Sequence, residues 1–543
     1  MLERGLAAIG LQRLPITAPQ ADSGFGGYGS AAYSDRFAYW APGNRDADMD
    51  IVRDLRELRA RSRDLVRNSP LAAGAQETQV THIVGSGLVL QSRIDAAALG
   101  MDDDAAAAWQ ANTERRWRLW AGSELCDAAR ESTFAELQDL ALRTQLESGD
   151  AFVLLAQSAP QPNWPFRLAL QLIEADRVSN PLGAGDTPTL TAGIERDDSG
   201  AAVAVHVCSK HPGSIHSLAG ADWQRVPMRG RSGRRNVLHL KRKLRPGQSR
   251  GVPALAPIIG TLKQMTRYSE AEIDAAVNAA AMAVFVKMDP DAFQELFDET
   301  AQSNIVGSAT RWDGTLKSGS AINLLPGESI DSPPLGRPNP NFDPFMQAFI
   351  RFVGIGLSIP AEVLSKSFQS SYSAARAALL DAWRTFSIRR GWLAAKLCQP
   401  VYEEWLADEV AAGRIAAPGF FADPFVRAAW CGSTWSGDGP GAIDPLKEAN
   451  AAGRRMELGI TTLAEEIVAY DGGDWETKHR QRAREVDERV EAGLEAPVVA
   501  PVAPASGRAA PITESGADDE TDDENGDGPD DADPTDNLPG GIQ

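Results

Sequence analysis

The sequence lacks most of the patterns that indicate a redox, metal-binding or membrane protein. Its four cysteines, Cys126, Cys208, Cys398 and Cys431, are far apart and form no CxxC pair. This spacing argues against a zinc knuckle or a disulfide framework, and it favours four buried small side chains. No run of about 18 apolar residues occurs, so we expect no membrane span and no membrane partner.

Motifs of phosphate-binding and nucleophilic enzymes are also missing. No GxxxxGK[ST] loop occurs, GIGLS at 354–358 is not GxSxG, and the six histidines form no HExxH. Acids occur in ESGD (147–150) and EAD (174–176), but no pattern brings them together, and helix-end and turn roles account for both. We therefore predict a protein that is not an enzyme and that holds no cofactor and no metal.

Charge is distributed unevenly along the chain. The net charge is −20, but twelve acids and no Lys or Arg lie in residues 509–543. Residues 1–508 therefore carry 62 acids against 54 bases, a balance of −8. The acidic end has almost no apolar residues and repels itself, so we expect a disordered, solvating tail, with nucleic-acid mimicry or a role in assembly as alternatives.

A basic segment at 224–250 contrasts with the acidic tail. Twelve bases and no acid lie between Asp222 and Glu270. Aromatic residues are not interleaved with the densest bases, which weakens a single-strand-binding interpretation. The segment fits an acidic partner or a subunit interface rich in ion pairs better than direct phosphate binding.

The order of periodic segments predicts an α+β fold. A Gly/Ser/Tyr-rich start precedes a helix capped near Asp48 or Asp50, a strand in THIVGSGLVLQSRI, and helices near 102–121 and 133–148. Short β-rich runs continue to about residue 245. An Ala-rich helix then runs from Leu255 to about 284, and a Phe-rich helix starts at 342. After 374, nearly forty residues are helical, with a break near Gly391 and a kink at Pro400.

A polar patch interrupts this helical half of the chain. SKSFQSSYS, 365–373, separates the apolar GIGLSIPAEVL from a long amphipathic helix. A serine-rich stretch is usually a solvated linker, yet this one lies far from either terminus. We therefore interpret it as a functional loop.

Taken in order, these segments resemble the portal proteins of lambda-type tailed bacteriophages. The resemblance covers about residues 28–490 and rests on the order and spacing of many weak motifs. These are LRARSRDLVRNSPLAAGAQETQVTHIVGSGL, ESGDAFVLL, LQLIEADRV, RPGQSRGVPALAPII, LLPGE, GIGLSIPAEVLSKSFQSSYSAARAALLDAWRTF, CQPVYEEWL and IDPLKEANAAGRRMELGITT.

The resemblance implies a portal fold that assembles as a ring. In chain order, its expected parts are a flexible N-terminal arm (1–48), an α+β wing (49–250), a first stem helix (251–285), a clip (286–341), a second stem helix (342–362), a tunnel loop (363–373), a long kinked helix with a return to the wing (374–444), a helical crown (445–492), and a disordered Pro/Ala linker with the acidic tail (493–543).

The function that the resemblance implies is structural. A homo-dodecamer would stand at one capsid vertex and conduct double-stranded DNA during packaging and ejection. Its expected partners are the terminase large subunit, a head-tail adaptor and the major capsid and scaffold proteins, first in the host cytoplasm and then in the virion. The alternative is an enzyme of the packaging or tail machinery, a nuclease or a protease.

The resemblance also assigns candidate residues. The DNA-facing tunnel loop would comprise Ser365, Lys366, Ser367, Phe368, Gln369, Ser370, Ser371 and Tyr372. Lys366 would either form a ring of cations that touches phosphates transiently or be an ordinary solvated side chain. Phe368 and Tyr372 would either anchor the loop or project into the channel. Inter-subunit ion pairs are expected from Arg376, Arg384, Arg389 and Arg390.

Overall fold

The structure of the protein is a computed structural model. It describes residues 43–159, 161, 163–214, 221–281, 285–288, 328–331, 339–368, 372–440 and 445–494. The predicted arm up to residue 42, most of the predicted clip, and the linker and acidic tail lie outside these residues. The chain divides into two units, Met1–Lys478 and His479–Gln543.

The described part of the chain begins with three helices, α1 (Ala47–Ile51), α2 (Leu55–Asn68) and α3 (Pro70–Ile83). The cap is Asp46, whose carboxylate accepts from the Met49 N–H, and not Asp48 or Asp50 as the spacing had indicated. The predicted strand in THIVGSGLVLQSRI was partly wrong. Its first residues complete α3, and the strand β1 is confined to Val89–Ser92.

Three capped helices and an aromatic core follow. Helices α5 (Asp103–Ala121) and α6 (Phe134–Ser148) match the two predicted helices, whereas the short α4 (Ala96–Leu99) was not predicted. Helix α6 starts with a Thr133/Glu136 capping box. Trp117 of α5 is buried, with its ring centroid 4.8–5.7 Å from those of five aromatic residues. These are Trp120, Phe134, Tyr402, Trp405 and Trp435, so this core joins segments about 300 residues apart.

Two antiparallel sheets form the β part. The first has the order β3-β2-β8, with β2 Asp150–Gln157, β3 Leu168–Ile173 and β8 Val237–Lys241. The second has the order β4-β5-β6-β7, with strands Leu190–Thr191, Ile194–Arg196, Ala202–Cys208 and Trp223–Pro227. Phe152, Val178 and Val205 belong to a smaller core that the two sheets share. The β-rich runs of the sequence are therefore confirmed.

Along the chain, the two candidate stem helices follow the sheets and precede the serine patch. Helix α7 spans Ile259–Ala281 and α8 spans Phe342–Leu357. Strands β9 (Phe285–Met288) and β10 (Glu328–Asp331) pair antiparallel between them. A Cβ on Gly356 would lie 2.4 Å from the Ile258 Cγ2, so this glycine permits the close approach of α8 to the start of α7. Phe285, predicted as the end of the first stem helix, begins β9 instead.

The long helix is continuous through Gly391, where a break was predicted. Helix α10 (Tyr372–Leu393) passes into a π-helical turn, Ala394–Cys398, and then into α11 (Gln399–Ala411). Pro400 lacks the N–H that would bond to residue 396, and its ring crowds that carbonyl in a regular helix. A wider turn directly before Pro400 accommodates both effects, so the irregularity lies at 394–398.

The next segment of the chain pairs with a strand near the start of the described residues. After α12 (Pro424–Trp430), strand β11 (Ser433–Ser436) pairs antiparallel with β1. Helices α13 (Pro445–Glu457) and α14 (Leu463–Asp471) follow, and neither contains a buried residue. Helix α15 spans Trp475–Glu491, and most of it constitutes the described part of the second unit.

Candidate functional site

A tight turn precedes the serine patch. Helix α8 ends at Ser358, which takes the left-handed conformation at φ 57° and donates its N–H to the last turn of α8. Helix α9, Ala361–Ser365, begins after Pro360 and buries Val363 and Leu364. The predicted second stem helix, 342–362, is therefore two helices, because the chain turns at 358–360. This turn fixes the direction in which the following polar residues leave the core.

The polar patch is shorter than its sequence suggests. Ser365 closes α9, and Lys366 is the left-handed cap at φ 54°, with its N–H donated to the Glu362 carbonyl. Tyr372 already belongs to α10, so the described residues between α9 and α10 are Lys366, Ser367 and Phe368. Lys366 and Phe368 are exposed, and Ser365 and Ser367 are partly exposed. Gln369, Ser370, Ser371 and the Tyr372 side chain lie outside the described part of the chain.

The positive charge of Lys366 acts on α3. A hydrogen bond from Arg143 lowers the pKa of Glu77, and Lys366 adds a smaller effect in the same direction. Burial lowers the pKa of His82, with further contributions from Arg390 and Lys366. The Lys366 ammonium thus stands near the surface of α3 and is exposed to solvent.

The four candidate interface arginines have different surroundings. Arg376 and Arg384 are exposed on α10. Arg390 donates to the main-chain oxygens of His82, at 2.8 Å, and Ile83, at 3.0 Å. These carbonyls end α3, where a cation is favoured by the helix dipole. Arg390 therefore serves its own chain, a contact that no sequence pattern could indicate.

The guanidinium group of Arg389 lacks a hydrogen-bond acceptor for one of its nitrogens among the described residues. Its Nη1 is buried and has no hydrogen-bond acceptor among the described residues. Burial, assisted by the nearby positive charge of Arg242, lowers the pKa of Arg389 to about 10. A half-buried guanidinium beside another cation is a position that an external carboxylate would stabilise.

A buried charge network lies where the β part meets α7. The Asp150 carboxylate is inaccessible to solvent and accepts from Arg59 at 2.8 Å, Arg250 at 2.7 Å and His239 at 2.8 Å. Burial alone would raise the pKa of Asp150, but Arg250, His239 and Arg59 together hold it well below its ordinary value. Arg59 also contacts Asp176 at 3.3 Å. The acids of ESGD and EAD, which we did not expect to meet, are thus joined by one arginine.

Arg250 extends this network to the main chain. Its guanidinium donates to the carbonyl oxygens of Ala175, Val178 and Ala192 at 2.7–2.8 Å. The adjacent Gly251 N–H donates to Asp150. One buried arginine, Arg250, therefore fixes the start of the segment before α7 to both sheets.

Half of the ten bases in the basic segment, 224–250, pair with acids of the same chain. Arg225 contacts Glu195, Arg234 contacts Asp408, Arg235 contacts Glu403 and Arg245 contacts Asp50, all within 2.5–2.7 Å. The first pair lies within the second sheet, and the other three join the β part to α11 and α1. The segment was predicted to meet an acidic partner or another subunit, whereas much of its charge is used within the chain.

A known protein family matches the chain over more than half of its length. The model of the family described as phage portal protein, lambda family, matches residues 33–390, about two thirds of the chain. The chain belongs to this portal family. The resemblance inferred from the sequence is confirmed, and the predicted α+β portal fold with it.

Individual relatives agree with the family. The chain is 28% identical over 500 residues to the portal protein of Escherichia phage N15, covering 87% of this chain and 92% of that protein. It is 27% identical over 510 residues to portal protein B of Escherichia phage lambda, covering 89% and 93%. Among solved structures, a chain from the neck of a native gene transfer agent particle has a TM-score of 0.38 and 13% identity, with 77% of this chain and 94% of that one covered.

Portal proteins are structural components of the phage particle and not enzymes. In the part of this portal chain that the structure describes, no three His, Cys, Asp or Glu side chains are grouped to hold a metal ion. Among the described helices, none is long and apolar enough to cross a membrane.

Proposed function

We propose that twelve copies of this portal protein form a ring at one capsid vertex, with double-stranded DNA passing along its axis. The ring would assemble in the host cytoplasm with the major capsid and scaffold proteins. It would dock the terminase large subunit during packaging and a head-tail adaptor afterwards. In this arrangement 49–250 is the wing, 251–285 and 342–362 form the stem around the clip, 374–444 returns to the wing, and 445–492 is the crown.

Exposed apolar side chains on α7 and α8 support the assembly. Ile273, Val277, Phe352 and Ile355 are 60–77% exposed in the isolated chain. Large exposed apolar side chains on neighbouring helices are typical of surfaces that another protein covers. Neighbouring copies in a ring would cover these helices, which accounts for their composition.

Arg376, Arg384 and Arg389 are the arginines that we assign to subunit contacts. The first two are exposed, and the buried Nη1 of the third has no acceptor among the described residues. An acid from a neighbouring copy would complete the hydrogen bonding of Arg389. We leave Arg390 out of this set because its Nε and Nη2 donate to main-chain oxygens at the end of α3.

The exposed cap at Lys366 supports a contact between the channel wall and DNA. A buried pair, Val363 and Leu364, anchors α9, and Lys366 stands directly beyond it with its side chain in solvent. Twelve such lysines facing the axis would form a ring of positive charge. Because each neutralised phosphate adds salt-dependent affinity, one cation per subunit in an otherwise serine-rich loop would hold moving DNA only transiently.

Lys366→Ala tests this role. We expect rings to assemble normally, while genome packaging or the retention of packaged DNA changes. The affinity of isolated rings for DNA should also depend less steeply on salt. Lys396→Ala is the matched control, since Lys396 is an exposed lysine in the π-helical turn. Unchanged packaging, retention and salt dependence in Lys366→Ala would contradict the proposed contact.

A further inference from the structure

A large cleft opens between α2 and the second sheet. Its volume is about 840 Å³, within the roughly 300–1,000 Å³ that is typical of ligand pockets. Val52, Leu55 and Ala60 line one wall, and Val178 and Trp223 belong to the other. The lining is mainly apolar and includes none of the residues of the 365–372 loop.

Charged side chains of one predominant sign complete the cleft. Arg56, Arg59 and Arg63 line it from α2, and Asp176 and Arg250 also belong to the lining. Asp150 pairs with Arg59 and Arg250, and Asp176 pairs with Arg59 and Arg63, so the exposed Arg56 adds positive charge at the surface. Apolar walls combined with guanidinium groups favour aromatic side chains, because an aromatic ring packs on both.

The cleft is formed at a conformational cost. Leu182, which lines it, is 87% exposed and has φ 55°, and the lining residue Ala192 has φ 46°. Non-glycine residues are uncommon in this conformation. An apolar side chain held in solvent at the edge of an apolar cleft indicates a surface that something covers.

The chain itself supplies an aromatic segment at a suitable distance. FAYW, residues 37–40, precedes α1, whose next residue Val52 lines the cleft. The main chain is fixed at Arg45, whose carbonyl oxygen accepts from Arg245, and at the cap Asp46. Residues 41–44 span up to about 14 Å when extended, whereas α1 is about 7.5 Å long. The segment can therefore fold back along α1 to reach the cleft.

We propose that residues 37–40 dock in this cleft of their own subunit. The short tether gives the segment an effective concentration in the millimolar range, so modest contacts suffice to hold it there. The rings of Phe37, Tyr39 and Trp40 cover the apolar walls and pack against Arg56 and Arg63. Docking would connect the N-terminal arm to both the helical and the β part of the chain.

A bimane fluorophore at Ala60→Cys tests the docking in assembled protein. Ala60 is exposed and lines the cleft, whereas the four natural cysteines are at most 5% exposed, so labelling is selective. Trp and Tyr quench bimane on contact, and Phe does not. All labelled proteins carry Trp223→Phe, because Trp223 lines the cleft and would quench the label itself. In this background, changing Tyr39→Phe and Trp40→Phe together keeps the apolar bulk, and we expect the fluorescence to rise at least twofold. The same changes with the label at Asn68→Cys, which does not line the cleft, should have no effect.

Two results would overturn the proposal. Equal fluorescence with and without the Tyr39→Phe and Trp40→Phe changes would mean that the segment does not occupy the cleft. The second test co-assembles labelled subunits that carry both changes with an excess of unlabelled subunits that retain Tyr39 and Trp40. Restored quenching there would assign the cleft to a neighbouring copy's segment, whereas persistent brightness supports docking in the same subunit.

Discussion

Asp150 is the residue at which three distant segments of the chain meet. Its buried carboxylate binds Arg59 from α2, His239 from β8 and Arg250 from the segment before α7. A buried ion pair adds little net stability when it is complete, but loss of one partner leaves charges without compensation. The network therefore makes the arrangement of these segments specific, and its integrity depends on one carboxylate.

Asp150→Ala should lower the free energy of unfolding by about 3–5 kcal/mol, because two arginines would stay buried without their anion. Denaturant unfolding measures the loss. Asp139→Ala is the matched control, since Asp139 also pairs with an arginine, at 2.5 Å, but is 34% exposed. That change should cost no more than about 1 kcal/mol. Similar losses in the two variants would contradict a special role for the buried network.

His239 should make the stability sensitive to acid. Burial lowers its pKa to about 4, although Asp150 opposes the shift. Between about pH 6.5 and 4 the unfolded chain binds a proton that the folded chain does not, so stability falls as the pH decreases. The loss approaches about 3 kcal/mol at the lower limit.

Unfolding free energies measured from pH 7 to pH 5 test this expectation. His239→Gln keeps an amide donor for Asp150 but cannot titrate, so its stability should decline less over this range. A parallel decline in both proteins would show that other groups cause the acid sensitivity.

Replacing a glycine by alanine should change the stability in opposite directions on helices α8 and α10. A Cβ on Gly354 would lie 2.5 Å from the Ile359 carbonyl oxygen, in the turn that directs α9. A Cβ on Gly391, inside α10, would meet nothing within 4 Å. In a helix interior, alanine is more favourable than glycine by about 1 kcal/mol. The space around each glycine therefore decides whether the substitution raises or lowers the stability.

We expect Gly391→Ala to stabilise the protein by about 0.5–1 kcal/mol. Gly354→Ala should destabilise it by about 1–3 kcal/mol, because a backbone carbonyl must move. Melting temperatures of the two variants measure the difference. A gain in stability for Gly354→Ala would mean that the 358–360 turn adapts easily and does not fix the direction of α9.

The sequence predicted elements better than contacts, for physical reasons. Periodicity and capping residues located α5, α6 and the strands, because these signals are local. Asp150 and Arg59 are 91 residues apart, and Arg390 binds main-chain oxygens, which no residue type reveals. The helical start of THIVGSGL was missed because β-branched residues favour strands, while burial of Val80 and Ile83 against the core favours the helix.

The proposed ring rests on features from several parts of the whole molecule. The chain belongs to a portal family, its α7 and α8 expose apolar side chains, and Lys366 projects from an anchored cap. Together they support a channel whose wall carries a weak positive charge where the Lys366 side chains lie. Seven of the ten cations of the basic segment donate to acids or main-chain oxygens of the same chain.

Electron cryomicroscopy of the assembled protein is the most direct test. We predict a closed ring of twelve subunits, with residues 365–372 at the axial channel and the Lys366 side chains directed toward its axis. A ring in which this segment lies on the outer surface, or a protein that remains monomeric at assembly concentrations, would contradict the proposed DNA channel.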